Sequence, residues 1–115
     1  MNEQTFNDAI DQAKQIITRF EKIEGRPWGA EGAVIELTKQ VGQLSALVMN
    51  REGYYFEGRE KDDAKYTATN EKIGDELADI LIAIVRIARH YEIDLVAINA
   101  QTRKAEDEFL KIKDI

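Results

Sequence analysis

Residues 69–90 read TNEKIGDELADILIAIVRIARH, and this stretch decides the fold class. Thr69-Asn70-Glu71 supplies helix-capping side chains, with acidic residues in the first turns where the helix dipole favours negative charge. From Leu77 to Ile87 the pattern is apolar nearly all round, which predicts a helix buried on several sides. A single four-helix chain rarely buries one helix so completely, so we expect self-association.

Three further helices are predicted around this one. Apolar residues at helical spacing from Phe6 predict a first helix ending near Gly25, and a second pattern runs from Trp28-Gly29 to about Asn50. Asp94 is a candidate N-cap for the last helix. We therefore predict one all-α domain over residues 1–115, a four-helix bundle packed as a homodimer, homotetramer or other oligomer.

The composition excludes several classes of binding partner and site. Asp and Glu number 22 against 16 Lys and Arg, and the net charge of −6 argues against a sequence-independent grip on nucleic acid or an anionic membrane. The absence of cysteine excludes a disulfide scaffold, a thiolate zinc site and a cysteine nucleophile. The start Met1-Asn2-Glu3-Gln4 shows no signal peptide, so we expect a cytoplasmic protein.

Glu76 and Asp79 are the candidate catalytic and metal-binding residues. They lie one helical turn apart within the apolar stretch, where an unpaired carboxylate is costly but a paired or metal-bound one is not. Mg²⁺ prefers such oxygen ligands. The alternative is that dipole, water and a nearby cation satisfy both carboxylates. Arg86 lies on the same stripe and either meets a phosphate or neutralises the pair.

Two segments resemble the all-α NTP pyrophosphatases, the MazG-like proteins. Residues 74–82, GDELADILI, followed by Tyr91-Glu92-Ile93-Asp94-Leu95, look like that family's third helix and the entry to its fourth. Pro27-Trp28 and the stretch Leu37-Thr38-Lys39-Gln40-Val41-Gly42-Gln43-Leu44 match its second helix in spacing. The resemblance implies cleavage of a nucleoside triphosphate to the monophosphate and pyrophosphate, supported by Mg²⁺ or Mn²⁺.

The chain departs from the family at two positions. A Glu-x-x-Glu pair on the family's second helix faces the Glu-x-x-Asp pair on the third, and here that pair falls on Gln40 and Gln43. The amides remove two negative charges from a cation site and supply N–H donors that can hydrogen-bond Glu76 and Asp79 instead.

Several residues remain candidates for completing the site. Glu36, one turn before Gln40, is the first candidate to replace a missing metal ligand, although it could simply face solvent, and Glu106 on the fourth helix is another. The third alternative is a metal held by Glu76 and Asp79 alone. The candidate substrate-binding residues are Gln40, Gln43, Lys39, Arg86 and Trp28. Trp28 either stacks on a base or anchors two helices. The aromatic and basic residues of the connection 50–68 either cover base and phosphates or pack on the bundle or a partner subunit.

Two functions therefore stay open. One is a MazG-like pyrophosphohydrolase with an altered, weak metal site. The other is a catalytically inactive relative, a pseudoenzyme that acts as a nucleotide-binding or a structural and regulatory oligomer. The sequence does not indicate the base or sugar.

Overall fold

The computed structural model describes residues 4–115, and the side chains of these residues except Glu60 and Tyr66. The described chain is all-α and contains no strand. Four helices follow in order: α1 (Phe6–Glu21), α2 (Gly29–Arg51), α3 (Asn70–His90) and α4 (Leu95–Ile112). Two short 3₁₀ turns, Glu60–Asp62 and Ala64–Tyr66, lie between α2 and α3. The predicted all-α class is confirmed.

Local capping chemistry sets where the helices begin. The Thr5 hydroxyl accepts a hydrogen bond from the Asp8 N–H at 3.1 Å. Thr69 does the same for the Lys72 N–H at 3.1 Å at the start of α3, and the Asp94 carboxylate accepts from the Ala97 N–H at 3.0 Å. Each bond satisfies a backbone donor that has no partner inside its helix. The predicted caps at Thr69 and Asp94 are thus confirmed.

The chain divides into two compact units, and the division falls inside α3. One unit comprises the chain up to Pro27 together with Val85–Ile115, so it holds α1, the end of α3 and α4. Its buried apolar residues are Ile10, Ile17, Val85 and Ala88. The other unit is Trp28–Ile84, with α2, the 3₁₀ turns and the start of α3. It buries Ala33, Leu47 and Ala83, together with the polar Gln40.

The expected burial of α3 on several sides is wrong for the single chain. Leu77 is 52% exposed, Leu81 41% and Ile84 37%, and Asp79 is exposed as well. The apolar pattern extends around more of the helix than the other elements of one chain cover. Among the described residues, Gln40 is the buried polar residue, at 8% exposure.

The middle of the connection between α2 and α3 is hydrogen-bonded to both helices. The Asn50 side chain donates a hydrogen bond to the Lys61 carbonyl at 3.2 Å. The Lys72 ammonium donates to the Ala64 carbonyl at 2.8 Å and so ties the second 3₁₀ turn to α3. The connection therefore has a defined path beside the two helices of its unit.

Among the described helices, none has the length and apolar character needed to cross a membrane. Met1, Asn2 and Glu3, on which the expected absence of a signal peptide partly rests, lie outside the described residues.

Candidate active site

A cleft of about 630 Å³ lies in the unit Trp28–Ile84. Side chains from α2, the second 3₁₀ turn and the first half of α3 form its walls. The lining residues are Lys39, Gly42, Gln43, Ala46, Leu47, Lys65, Lys72, Asp75 and Glu76. Three lysines and two carboxylates therefore face one space over a small apolar floor, which suits a ligand that carries negative charge.

Glu76 is the carboxylate whose surroundings are unusual. Its Oε2 atom is buried and has no hydrogen-bond partner among the described residues. Desolvation raises the pKa of the Glu76 carboxyl above its ordinary value, and the negative charge of Asp79 raises it further, whereas Lys39 lowers it. The carboxylates of Asp75 and Glu36 add smaller upward contributions to that pKa. An enclosed, electron-rich oxygen of this kind is a site for a cation or a proton.

Gln40 is oriented by its own helix. Its Nε2 donates a 2.6 Å hydrogen bond to Glu36 Oε1, one turn earlier on α2. Its Oε1 is buried and, within residues 4–115, has no partner. The alternative in which the amides donate to Glu76 and Asp79 is therefore not what Gln40 does. Its donor group is used on Glu36, and its acceptor oxygen stays available.

Of the other predicted site residues in this unit, some line the cleft and one is exposed to solvent. Gln43 and Lys39 line the cleft. The Lys39 ammonium also lies 3.7 Å from Glu36 Oε2. Asp79 is exposed and acts on Glu76 through its charge. Glu36 is thus engaged by both Lys39 and Gln40.

Arg86 and Glu106 are paired elsewhere. The two terminal guanidinium nitrogens of Arg86, Nη1 and Nη2, donate to the Glu24 carboxylate at 3.2 and 3.0 Å, within the unit that holds α1 and α4. The Arg103 guanidinium forms a 2.9 Å ion pair with Glu106 on α4. The structure gives Arg86 a bidentate structural partner and Glu106 a local one.

Trp28 and the aromatic residues of the connection are also placed. A Cβ atom on Gly32 would lie 2.9 Å from Trp28 Cβ, so the tryptophan sits against the first turn of α2. Tyr54 is 72% exposed and Phe56 73% exposed, and neither lines the cleft. The side chain of Tyr66, another aromatic of the connection, lies outside the described residues.

Lys72 has no counterpart among the predicted site residues. It points to the cleft from the first turn of α3 while its ammonium holds the Ala64 carbonyl. Lys65, from the same 3₁₀ turn as Ala64, lines the cleft too. The only signal in the sequence is a lysine one turn before Glu76, which is ordinary on an exposed helix face.

The residues of the cleft suit a divalent cation only if a phosphate ligand binds with it. Within the described chain, no group of three or more His, Cys, Asp or Glu side chains could hold a metal ion. The unpartnered oxygens of Glu76 and Gln40 are nevertheless the hard donors that Mg²⁺ or Mn²⁺ prefers. Mg²⁺ commonly uses one or two carboxylates together with substrate phosphates and water. The residues therefore suit a metal that arrives with a phosphate ligand, not an all-protein cage.

The raised pKa of Glu76 predicts a pH-dependent cost in stability. Because the folded state favours the neutral carboxyl, this group contributes stability below its ordinary pKa of 4.5, and the contribution is lost as the pH rises. Glu76→Gln removes the charge and keeps the shape. We expect the variant to unfold a few degrees above the parent chain at pH 7 and at the same temperature at pH 3.5. Thermal unfolding followed by circular dichroism measures this. If Glu76→Gln instead raised the unfolding temperature more at low pH than at pH 7, the raised pKa of Glu76 would not be the cause.

No family model, curated protein or solved structure matches this chain.

Proposed function

We propose that this chain is a MazG-like nucleoside triphosphate pyrophosphohydrolase whose metal site has been altered. The observation that carries the proposal is the unpartnered, buried Oε2 atom of Glu76 at a cleft lined by three lysines. Three ammonium groups are suited to the oxygens of a phosphate chain, and one enclosed carboxylate is suited to handling a cation or a water molecule beside it.

Each side chain has a distinct role in this proposal. Lys39, Lys65 and Lys72 bind phosphate oxygens and counter the charge that builds up on the departing pyrophosphate. Glu76 accepts a hydrogen bond from the attacking water and orients it, with Asp79 sustaining the negative field around it. Glu76 and Asp79 would hold Mg²⁺ together with phosphate oxygens, and the Gln40 Oε1 atom is the further donor that is available. When bound, the cation would supply polarisation of the phosphoryl group and a lower pKa of that water.

Gln40 and Gln43 explain why the activity is expected to be weak. They keep oxygen donors at the positions of two family carboxylates but bring no negative charge, and Gln40 uses its amide on Glu36. Affinity for a hard cation depends strongly on the number of charged ligands. We therefore expect turnover only at millimolar Mg²⁺ or Mn²⁺.

The test restores the lost charges. Pyrophosphate release from a panel of nucleoside triphosphates is measured for the parent chain and for the Gln40→Glu, Gln43→Glu double variant, each over a titration of Mg²⁺. The expected result is a double variant that needs about tenfold less Mg²⁺ for half-maximal rate. Gln101→Glu on exposed α4 adds the same kind of charge outside the cleft and serves as the control. Equal Mg²⁺ dependence in all three proteins would contradict the proposed ligand positions.

The second candidate is a catalytically inactive relative that binds nucleotide or serves as a structural, regulatory oligomer. The engagement of Glu36 by Lys39 and Gln40 favours it, because it closes off one replacement ligand. In that case nucleotide raises the unfolding temperature of the parent chain while no pyrophosphate is released, with or without Mg²⁺. Absence of both effects leaves only the structural role.

Self-association is part of the proposal. Twenty large hydrophobic residues are exposed in the described chain, including Leu77 and Leu81 on α3 and Val34 and Val41 on α2. Monomeric proteins rarely expose large contiguous apolar patches. A homodimer or homotetramer would cover such residues and complete the burial that the pattern of α3 predicts.

A further inference from the structure

The apolar residues of helix α4 form a narrow seam, most of which is exposed to solvent. Its members are spaced alternately by three and four residues: Leu95, Ile98, Thr102, Ala105, Phe109 and Ile112, called here the α4 seam. In the part of the chain that the structure describes, every residue from 98 to 115 is exposed, with Phe109 at 57% and Ile112 at 81%. Leu95, Val96 and Ala97 are half-buried, and α4 contacts α1 within its unit. Helices of this length are marginal in water without packing, so the exposed part of the seam requires a further partner.

We propose that the α4 seam is an interface with a second copy of this chain, formed by two α4 helices packed side by side in parallel and in register. The three-and-four spacing is the a and d repeat of a coiled coil. Between residues 98 and 112 the apolar residues outside the seam are Ala100 and Leu110, so the stripe is narrow. A narrow stripe of this kind is typical of a helix that pairs with one other helix, whereas a helix on a globular core has a wider stripe. The small Thr102 and Ala105 in the middle permit close approach of the two backbones. This inference rests on the proposed self-association and assigns its location.

The charges of α4 favour a second copy over a charged foreign partner. Three basic residues (Arg103, Lys104, Lys111) balance three acidic ones (Glu106, Asp107, Glu108), so residues 95–112 have a net charge of zero. Two ion pairs within the helix join these groups, Arg103 with Glu106 and Lys111 with Asp107, each at 2.9 Å. Two copies of this helix can therefore pack together without net electrostatic repulsion. The helix also has no excess of positive or negative charge that would attract an oppositely charged ligand.

Two charged residues that flank the α4 seam favour a parallel over an antiparallel pair of helices. Glu108 precedes Phe109 and occupies the g position, and Lys113 follows Ile112 at the e position. Among the described residues Glu108 has no ion-pair partner, and the Lys113 ammonium lies 5.6 Å from the centre of the Phe109 ring, beside the seam. In a parallel pair, g of one helix faces e of the other, five residues on. Glu108 of each copy then meets Lys113 of the second copy, twice per dimer.

Sedimentation equilibrium of the full chain tests the seam. Phe109→Asp is expected to raise the dimer dissociation constant at least about 100-fold, because it places a charge in a desolvated layer. Leu110→Asp is the matched control, since Leu110 is the next residue, is 42% exposed and lies off the seam; its effect is expected to stay within about threefold. A dimer that both variants weaken equally, or that neither weakens, overturns the seam while self-association stands. A parent chain that is monomeric at 100 μM overturns both.

Charge exchange tests the direction. Glu108→Lys is expected to raise the dissociation constant about fivefold, and adding Lys113→Glu to it should restore the parent value within about twofold. Failure of the double variant to restore dimerisation overturns the parallel arrangement. Hydrogen exchange of the unmodified chain is an independent measurement: amides of residues 98–112 should gain protection as concentration rises. Protection that does not change with concentration overturns the proposal.

Discussion

Glu76→Gln is expected to reduce pyrophosphate release from nucleoside triphosphates by about 100-fold or more. The substitution keeps the shape of the side chain and removes its charge. The proposed chemistry needs that charge at the one enclosed oxygen, Oε2, which has no partner among the described residues. Initial rates at saturating nucleotide and Mg²⁺ measure the effect. Because the same variant is expected to be more stable at pH 7, a loss of activity cannot be attributed to unfolding.

Asp75→Asn supplies the matched control for this experiment. Asp75 is adjacent in sequence, lines the same cleft and also raises the pKa of Glu76, but it is exposed. Its substitution should change the rate less than about threefold, the size expected for loss of one solvated charge. Similar losses in both variants would indicate that the cleft needs total negative charge and not a positioned carboxylate. Full activity in Glu76→Gln would defeat the proposed role of Glu76.

The parts of the molecule that sequence predicts well are local. The caps at Thr69 and Asp94 depend on side chains that bond to backbone three residues away, and both are confirmed. The class of fold follows from the same short-range periodicity. The predicted end of the first helix, near Gly25, is less accurate, because α1 ends at Glu21 and a turn follows.

The site was predicted less completely because its features depend on distant residues. The pair Glu76 and Asp79 is visible from spacing, but spacing does not show which of them is enclosed, and Asp79 is the exposed one. The role of Lys72 at the cleft follows from a hydrogen bond to Ala64, eight residues earlier in an irregular segment. No periodic pattern encodes such a contact.

Arg86→Met is expected to destabilise the chain by about 3 kcal/mol, the lower end of the cost of stranding one member of a buried ion pair, because the Arg86–Glu24 pair is only partly buried. Arg86 and Glu24 are 62 residues apart in sequence, and their side chains are only 15% and 13% exposed. Both terminal guanidinium nitrogens donate to Glu24, and a lysine ammonium cannot reproduce this bidentate geometry. Chemical denaturation measures the free energy of unfolding. If Arg86 instead bound phosphate, as its position on the stripe of Asp79 first suggested, the variant would raise the KM for nucleotide with little change in stability.

Arg89→Met is the control that separates burial from charge. Arg89 lies nearly one turn further along α3, in the same unit, and its 2.6 Å ion pair with Glu21 is 36% and 47% exposed. Exposed pairs contribute at most about 1 kcal/mol, so this variant should lose less than a third of what Arg86→Met loses. The Glu24→Met, Arg86→Met double variant should recover much of the loss, because the stranded carboxylate is then removed and apolar side chains replace the pair. Equal losses in Arg86→Met and Arg89→Met, with no recovery in the double variant, would show that the enclosure of this pair has no energetic consequence.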